Sequence, residues 1–153
     1  MSIFETLFGC DFSKGSRLVD ASELRSLYRN SLGDIGTELL FTPSDSQRTL
    51  LTPENLRKLI SRYVCIMAPY REERFDCDDF SFVAYGQILK GANESGLKRT
   101  PAIGVAFITR KSGSRHALLI CLDSRGTAWL YEPQDNRWDC RFADVESVDQ
   151  VIG

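Results

Sequence analysis

His116-Ala117-Leu118-Leu119-Ile120-Cys121-Leu122, then Asp123-Ser124-Arg125-Gly126, then Thr127-Ala128-Trp129-Leu130-Tyr131-Glu132: this stretch decides the fold. The first run is apolar almost without interruption and reads as a buried strand. The next four residues are turn formers and read as a tight hairpin. The third run is β-rich and is closed by Pro133, which donates nothing to a ladder. A hairpin lays its two strands side by side. His116, the only histidine, opens the first strand, and Glu132 ends the second. Alternation of side chains puts Glu132 on the face of Leu130 and Ala128, and His116 on the face of Leu118 and Ile120.

Upstream, Ala102–Thr109 is also β-rich and is joined to His116 by the turn-rich Arg110-Lys111-Ser112-Gly113-Ser114-Arg115. The three runs predict an antiparallel meander, with a further strand over Trp138–Phe142. The tail, Ala143–Gly153, fits neither period cleanly.

The first half reads as helices. Asp20 with Glu23 three positions on resembles a capping box, and Gly33 is the expected stop. A short strand is expected at Glu38–Phe41. Thr52-Pro53-Glu54 is a second start, with a hydroxyl cap, proline in the first turn and an acid at the positive helix end. Leu56, Leu59, Ile60 and Tyr63 recur at helical spacing, so this helix should run to Met67, short of Pro69. A third helix is expected after Asp76-Cys77-Asp78-Asp79, carrying Phe80, Phe82, Val83, Tyr85, Ile88 and Leu89, with Gly91 as its terminator. Helices first and strands afterwards predict an α+β class. One domain over residues 1–153 is expected: a helical preface, 1–71, and a motif-bearing unit, 72–153.

Bulk composition narrows the function. The chain has 153 residues, 42% hydrophobic and 26% charged, with a net charge of −2. These are the proportions of a globular domain. The charge balance lacks the basic excess that phosphate binding requires, so nucleic acid is not an expected partner. No apolar run approaches the roughly 20 residues that cross a bilayer, and the first residues lack the form of a signal peptide. A cytoplasmic location without a membrane partner is the expectation. Five cysteines, at 10, 65, 77, 121 and 140, show no C-x-x-C pair. Most are expected to be free and buried, with no disulfide framework.

Cys77 differs from the other four, which lie in apolar or structure-breaking surroundings. It stands at a helix start, where the backbone favours a thiolate. With His116 as proton carrier and Glu132 holding the ring, thiol, imidazole and carboxylate make a layout for nucleophilic chemistry. Gln134 or Asn136 are alternative orienting groups. Asp76, Asp78 and Asp79 surround the thiol with negative charge. They are expected to serve the helix start or, failing that, a cation such as calcium. A zinc site from Cys77, His116 and Cys140 matches no known spacing. Trp129, Tyr131 and Trp138 are read as packing residues or as the lining of a groove, and Trp129, Gln134 and Trp138 are the candidate substrate contacts.

The order of helix-borne cysteine, strand-borne His-Ala and a polar residue on the next strand resembles papain-like cysteine peptidases. The phrases Phe75-Asp76-Cys77-Asp78-Asp79-Phe80, Arg115-His116-Ala117-Leu118 and Tyr131-Glu132-Pro133-Gln134 are most similar to the C-terminal cysteine-protease domain of the fungal ricin-B-type agglutinins and to stand-alone bacterial and phage domains. The resemblance spans Glu72–Asn136. It implies a papain-like fold, with the cysteine-bearing helix packed on the meander. It also implies a catalytic triad of Cys77, His116 and Glu132, a peptide or protein substrate, and calcium-linked activity; no other cofactor is expected. One departure stands out. Papain-like enzymes often carry a glutamine shortly before the cysteine, and Tyr70-Arg71-Glu72-Glu73-Arg74-Phe75 has none. The oxyanion donors would be the Cys77 N–H with Gln47 or Gln87. The expected function is a cysteine hydrolase, a peptidase or amidase. The alternative is an inactive papain-like scaffold serving as a protein-binding or effector module.

Overall fold

Strand β1 (Arg17–Asp20) runs directly into helix α1 (Ala21–Leu32), and Asp20 performs the change of direction. Its carboxylate accepts the Glu23 N–H at 2.8 Å, which satisfies one of the orphan donors of the first turn. Gly33 ends the helix with φ of 56°, a left-handed conformation that glycine adopts without strain. The computed structural model describes residues 11–36, 40–42, 46–72, 76–139 and 142–153.

A short 3-10 turn (Gly33–Gly36) leads to β2 (Leu40–Thr42) and β3 (Gln47–Leu50). Helix α2 (Pro53–Tyr63) starts as its sequence predicts, with Thr52 Oγ1 accepting the Asn55 N–H at 3.2 Å and proline in the first turn. It stops at Tyr63 rather than Met67. The reason lies across the interface. The Gln87 side chain accepts from the Cys65 N–H and donates to the Cys65 carbonyl, both at 2.9 Å. An amide side chain thus replaces the helical bonds of Cys65 and holds the following segment extended.

Helix α3 (Cys77–Glu94) runs through Gly91 instead of ending there. A Cβ at Gly91 would lie 2.2 Å from the Tyr63 ring. The glycine therefore allows α2 and α3 to approach closely, and the helix ends ahead of Gly96, whose φ is 75°.

The remaining strands are β4 (Ile103–Arg110), β5 (Arg115–Leu122), β6 (Ala128–Glu132), β7 (Arg137–Asp139) and β8 (Val145–Ile152). Among the described residues they form one sheet in the order β2-β8-β4-β5-β6-β7, with β1 and β3 as a separate antiparallel pair. The expected meander is purely antiparallel and drawn from the second half, with the strand at Glu38–Phe41 not assigned to it. That expectation is corrected: five strands are antiparallel neighbours, and β2, from the first half, pairs in parallel with β8. The unassigned tail is β8, an inner strand. The predicted strands at Glu38–Phe41 and Trp138–Phe142 correspond to β2 and β7; residues 38, 39, 140 and 141 lie outside the described set.

The helices lie on both faces of the sheet. Helix α1 covers one face of the sheet and α2 with α3 cover the other. Leu24, Tyr28 and Leu32 of α1 pack with Ile108, Leu118, Ile120 and Leu130. Leu56, Leu59 and Ile60 of α2 and Ala84 and Ile88 of α3 pack with Val105, Leu119, Cys121 and Tyr131. The physical reason is the unbroken burial of Ala117–Leu122. A strand apolar on both faces needs cover on both. Both core clusters hold several fully buried Leu, Ile or Val side chains, each worth about 1.5–3 kcal/mol relative to exposure.

Candidate functional site

Cys77 is the first residue of α3, and this end of the helix is fixed by its neighbours. Asp76 and Asp79 form a capping box in which the Asp79 carboxylate accepts the Asp76 N–H at 3.3 Å. Ser81 Oγ donates to the Cys77 carbonyl at 2.7 Å. The part-buried thiol borders a cleft of ≈ 240 Å³. Cys77 and Asp78 form its helix side. Phe107 and Ile108 of β4 and Arg115, His116 and Ala117 of β5 form its sheet side, and β8 supplies Asp149 and Gln150.

His116 enters the cleft at the end of β5, opposite Ile108. Its Nε2 is hydrogen-bonded to Glu132 Oε2, a contact between side chains that are 13% and 9% exposed. The Glu132 carboxylate also accepts the Gln134 N–H at 3.3 Å. So the ring is anchored at one nitrogen by a carboxylate, which leaves the other for a proton or a ligand. The structure brings Cys77 and His116 to one cleft and fixes His116 to Glu132. Gln134 contributes its backbone here, and its side chain is exposed, as is that of Asn136.

Two predicted contact residues face elsewhere. Trp129 and Trp138 pack on the α2 side of the sheet, and the Arg57 guanidinium lies over both rings, 4.9 and 5.9 Å from their centroids. Trp129 Nε1 donates to Asp123 Oδ2 at 2.9 Å. Trp138 also borders a second hollow, of ≈ 250 Å³, that Glu132 shares with Arg110 and Arg137. Gln87 is committed to Cys65, and Gln47 Oε1 accepts from Arg99 Nε at 3.3 Å. Neither lines the cleft.

Oxygen and sulfur atoms of Asp76, Cys77 and Asp78 lie within 4.8 Å of one another. Two carboxylates and a soft thiol are a thin donor set beside the roughly six to eight oxygens that calcium takes. Asp79 is engaged in the helix cap. The Asp78 carboxyl is held above the usual range by a side-chain hydrogen bond with Asp76, by desolvation and by the charge of Asp76. Cys140, the third ligand of the conceivable zinc site, lies outside the described residues, as do Cys10 and Phe75.

Sequence reasoning missed Asp149 and Gln150. Pairing between β4 and β8 runs Phe107 with Gln150 and then Ile108 with Val148, so Asp149 is the extra residue of a β-bulge. Bulges re-aim side chains, and Asp149 lines the cleft. Its Oδ2 accepts from Thr109 Oγ1 at 3.0 Å and its Oδ1 from Ser147 Oγ at 2.6 Å.

No protein-family profile matches the chain, and no curated protein matches it. Solved structures do. A structure described as a PSL1a–E64 complex aligns with a TM-score of 0.74 at 21% identity, over 89% of this chain and 50% of that one. Polyporus squamosus lectin, bound to the human-type influenza-binding epitope Neu5Aca2-6Galb1-4GlcNAc, aligns with a TM-score of 0.62 at 23% identity, over 86% of this chain and 47% of that one. The chain shares its fold with these proteins and spans about half their length.

These likenesses correct the resemblance drawn from the sequence motifs. The fold found is a β-rich one shared with a lectin, and neither neighbour is described as a peptidase. The papain-like fold and the cysteine-hydrolase reading are overturned on that finding. Among the described residues, no helix is long and apolar enough to cross a membrane.

Proposed function

We propose that the chain is a ligand-binding module and that the cleft between the start of α3 and strands β4, β5 and β8 is its binding site. The observation that carries this reading is the meeting of Cys77 and His116 on one cleft, with His116 fixed by Glu132. A concave site with apolar walls and a few convergent polar groups is the usual form of a small-molecule site. Here Phe107, Ile108 and Ala117 are the apolar part. Cys77, His116 and Gln150 are the polar part. In this role Glu132 keeps the imidazole in one orientation, and the thiol is a soft contact open to alkylation.

The lectin likeness favours a carbohydrate or another small polar ligand over a protein. A volume of ≈ 240 Å³ accepts one sugar ring or a short chain rather than a whole trisaccharide. The ligands named for the two neighbours are the first to test: E64, and Neu5Aca2-6Galb1-4GlcNAc, of which one ring would enter the cleft. The experiment is protection of thiols from iodoacetamide, read by peptide mass spectrometry, beside isothermal titration. The expected result is binding of at least one ligand, with slower labelling of Cys77, unchanged labelling of Cys65, and weaker binding in His116→Ala. Binding that leaves Cys77 labelling untouched, or no binding by either compound, would overturn the assignment of this cleft.

A further inference from the structure

We propose that Asp149 makes the cleft a guanidinium-recognising site, so that its ligand carries an arginine-like terminus. This rests on the cleft being a binding site and goes beyond it by naming the group bound. The bulge in β8 brings Gln150 opposite Phe107 and leaves Asp149 outside the regular pairing, and both residues line the cleft. The carboxylate is then held by two hydroxyls, one on each oxygen: Thr109 on Oδ2 and Ser147 on Oδ1. A carboxylate offers about four lone-pair sites. One site on each oxygen is left, which suits the two parallel N–H groups of a guanidinium better than the single point of an ammonium.

The protein's own cation is poorly placed to use them. Arg115 Nη2 lies 3.9 Å from Asp149 Oδ2, beyond hydrogen-bond range, on a side chain that is 85% exposed. Such a pair contributes little and exchanges readily. Asp78 adds a second acid to the lining, and His116 and Arg115 are its cationic or potentially cationic members. Arg115 thus acts as an internal competitor that a ligand's guanidinium displaces.

The test is a titration of the whole chain with n-propylguanidinium, n-propylammonium and neutral n-propylurea, followed by amide NMR shifts at Ala117 and Gln150. Saturable shifts with the guanidinium, weaker ones with the ammonium and none with the urea are expected. Asp149→Asn keeps the shape of the side chain and one hydroxyl-accepting oxygen, and its amide can donate to the other hydroxyl. It should weaken guanidinium binding about tenfold, the loss of one charge-assisted hydrogen bond. Arg115→Gln, a change on an exposed side chain, should strengthen it. Equal binding of the urea, or an unchanged affinity in Asp149→Asn, would overturn the proposal. If guanidinium fails while a ligand still protects Cys77, this inference falls alone. If nothing protects Cys77 either, the cleft assignment falls with it.

Discussion

Glu132 reaches His116 diagonally across the β5–β6 hairpin. The pairing of Leu119 with Tyr131 and Ile120 with Leu130, continued by one step, sets Glu132 opposite Leu118, two residues from His116 on the same face. Diagonal neighbours stand about 7–8 Å apart at Cα, within reach of two long side chains. The contact ties the open end of the hairpin at the point where β5 enters the cleft.

Glu132→Ala should therefore cost stability as well as order. It strips a nearly buried imidazole of its partner and removes the acceptor of the Gln134 N–H. A buried polar group left unsatisfied costs about 1–3 kcal/mol. Urea denaturation at neutral pH should show that loss, with a smaller one for Glu132→Gln, which retains an acceptor oxygen. Equal stability of the alanine variant would mean that the contact contributes nothing to the fold.

The three described thiols should separate cleanly by reactivity. Cys65 is exposed, Cys77 is half-buried and Cys121 is fully buried between α2, α3 and the sheet. Burial pushes the Cys121 thiol far above its ordinary range, and the thiolate is the reactive form. Under native conditions iodoacetamide should label Cys65 and Cys77, and Cys121 only after denaturant is added. Labelling of Cys121 in the native chain would contradict the packing of that face.

The central hairpin was legible because its signals are local. A continuous apolar run, a turn and a second run closed by proline need no tertiary knowledge, and His116 and Glu132 came with them. The start of α3 was legible for the same reason: its cap is written in Asp76 and Asp79. Strand β8 was not. Its apolar residues Val145, Val148 and Val151 recur every third position, the period of neither a flat strand nor an ideal helix. Register shifts between Phe107 and Ile108, and between Thr109 and Arg110, account for this. Glu146 and Asp149 are each inserted by a bulge, so every third residue returns to the core. A bulge depends on the partner strand, and the tail alone does not reveal its partner. The same dependence hid Asp149 from the candidate site, and it hid the long-range clasp of Gln87 on Cys65. The family reading failed differently. Three short motifs fixed local geometry, and an activity was attached to them that the likeness to a lectin fold does not support.

Gly91→Ala should destabilise the chain sharply, although alanine is the better helix former. The added methyl would meet the Tyr63 ring at 2.2–2.6 Å, and that ring is held by a 3.0 Å hydrogen bond from its hydroxyl to Ser95 Oγ or the reverse. Overpacking of this kind costs about 1–3 kcal/mol, against a gain in helix propensity of about 1 kcal/mol. A lower urea midpoint is expected. Substituting Tyr63 by leucine in the same chain should relieve part of the loss. A Gly91→Ala chain as stable as the original would show that α2 and α3 have room to spare at this crossing.

Asp78 should make the chain more stable as the pH falls into the weakly acidic range. Its carboxyl lies above the usual value in the folded chain because Asp76 shares a hydrogen bond with it, burial disfavours its charge and the Asp76 charge repels it. The unfolded chain has the ordinary aspartate value. Between the two, the folded form binds the extra proton, so stability rises as pH drops from above the folded value towards the unfolded one. Below both values the contribution is constant, and above both it is an unfavourable one. Asp78→Asn removes the titration while keeping a hydrogen-bonding side chain. It should raise stability at neutral pH and flatten the pH dependence through the weakly acidic range, with no difference once both forms are protonated. Chemical denaturation from pH 3 to pH 8 reads this directly. A variant less stable than the original at neutral pH would mean that the Asp78 charge helps the start of α3 more than Asp76 opposes it.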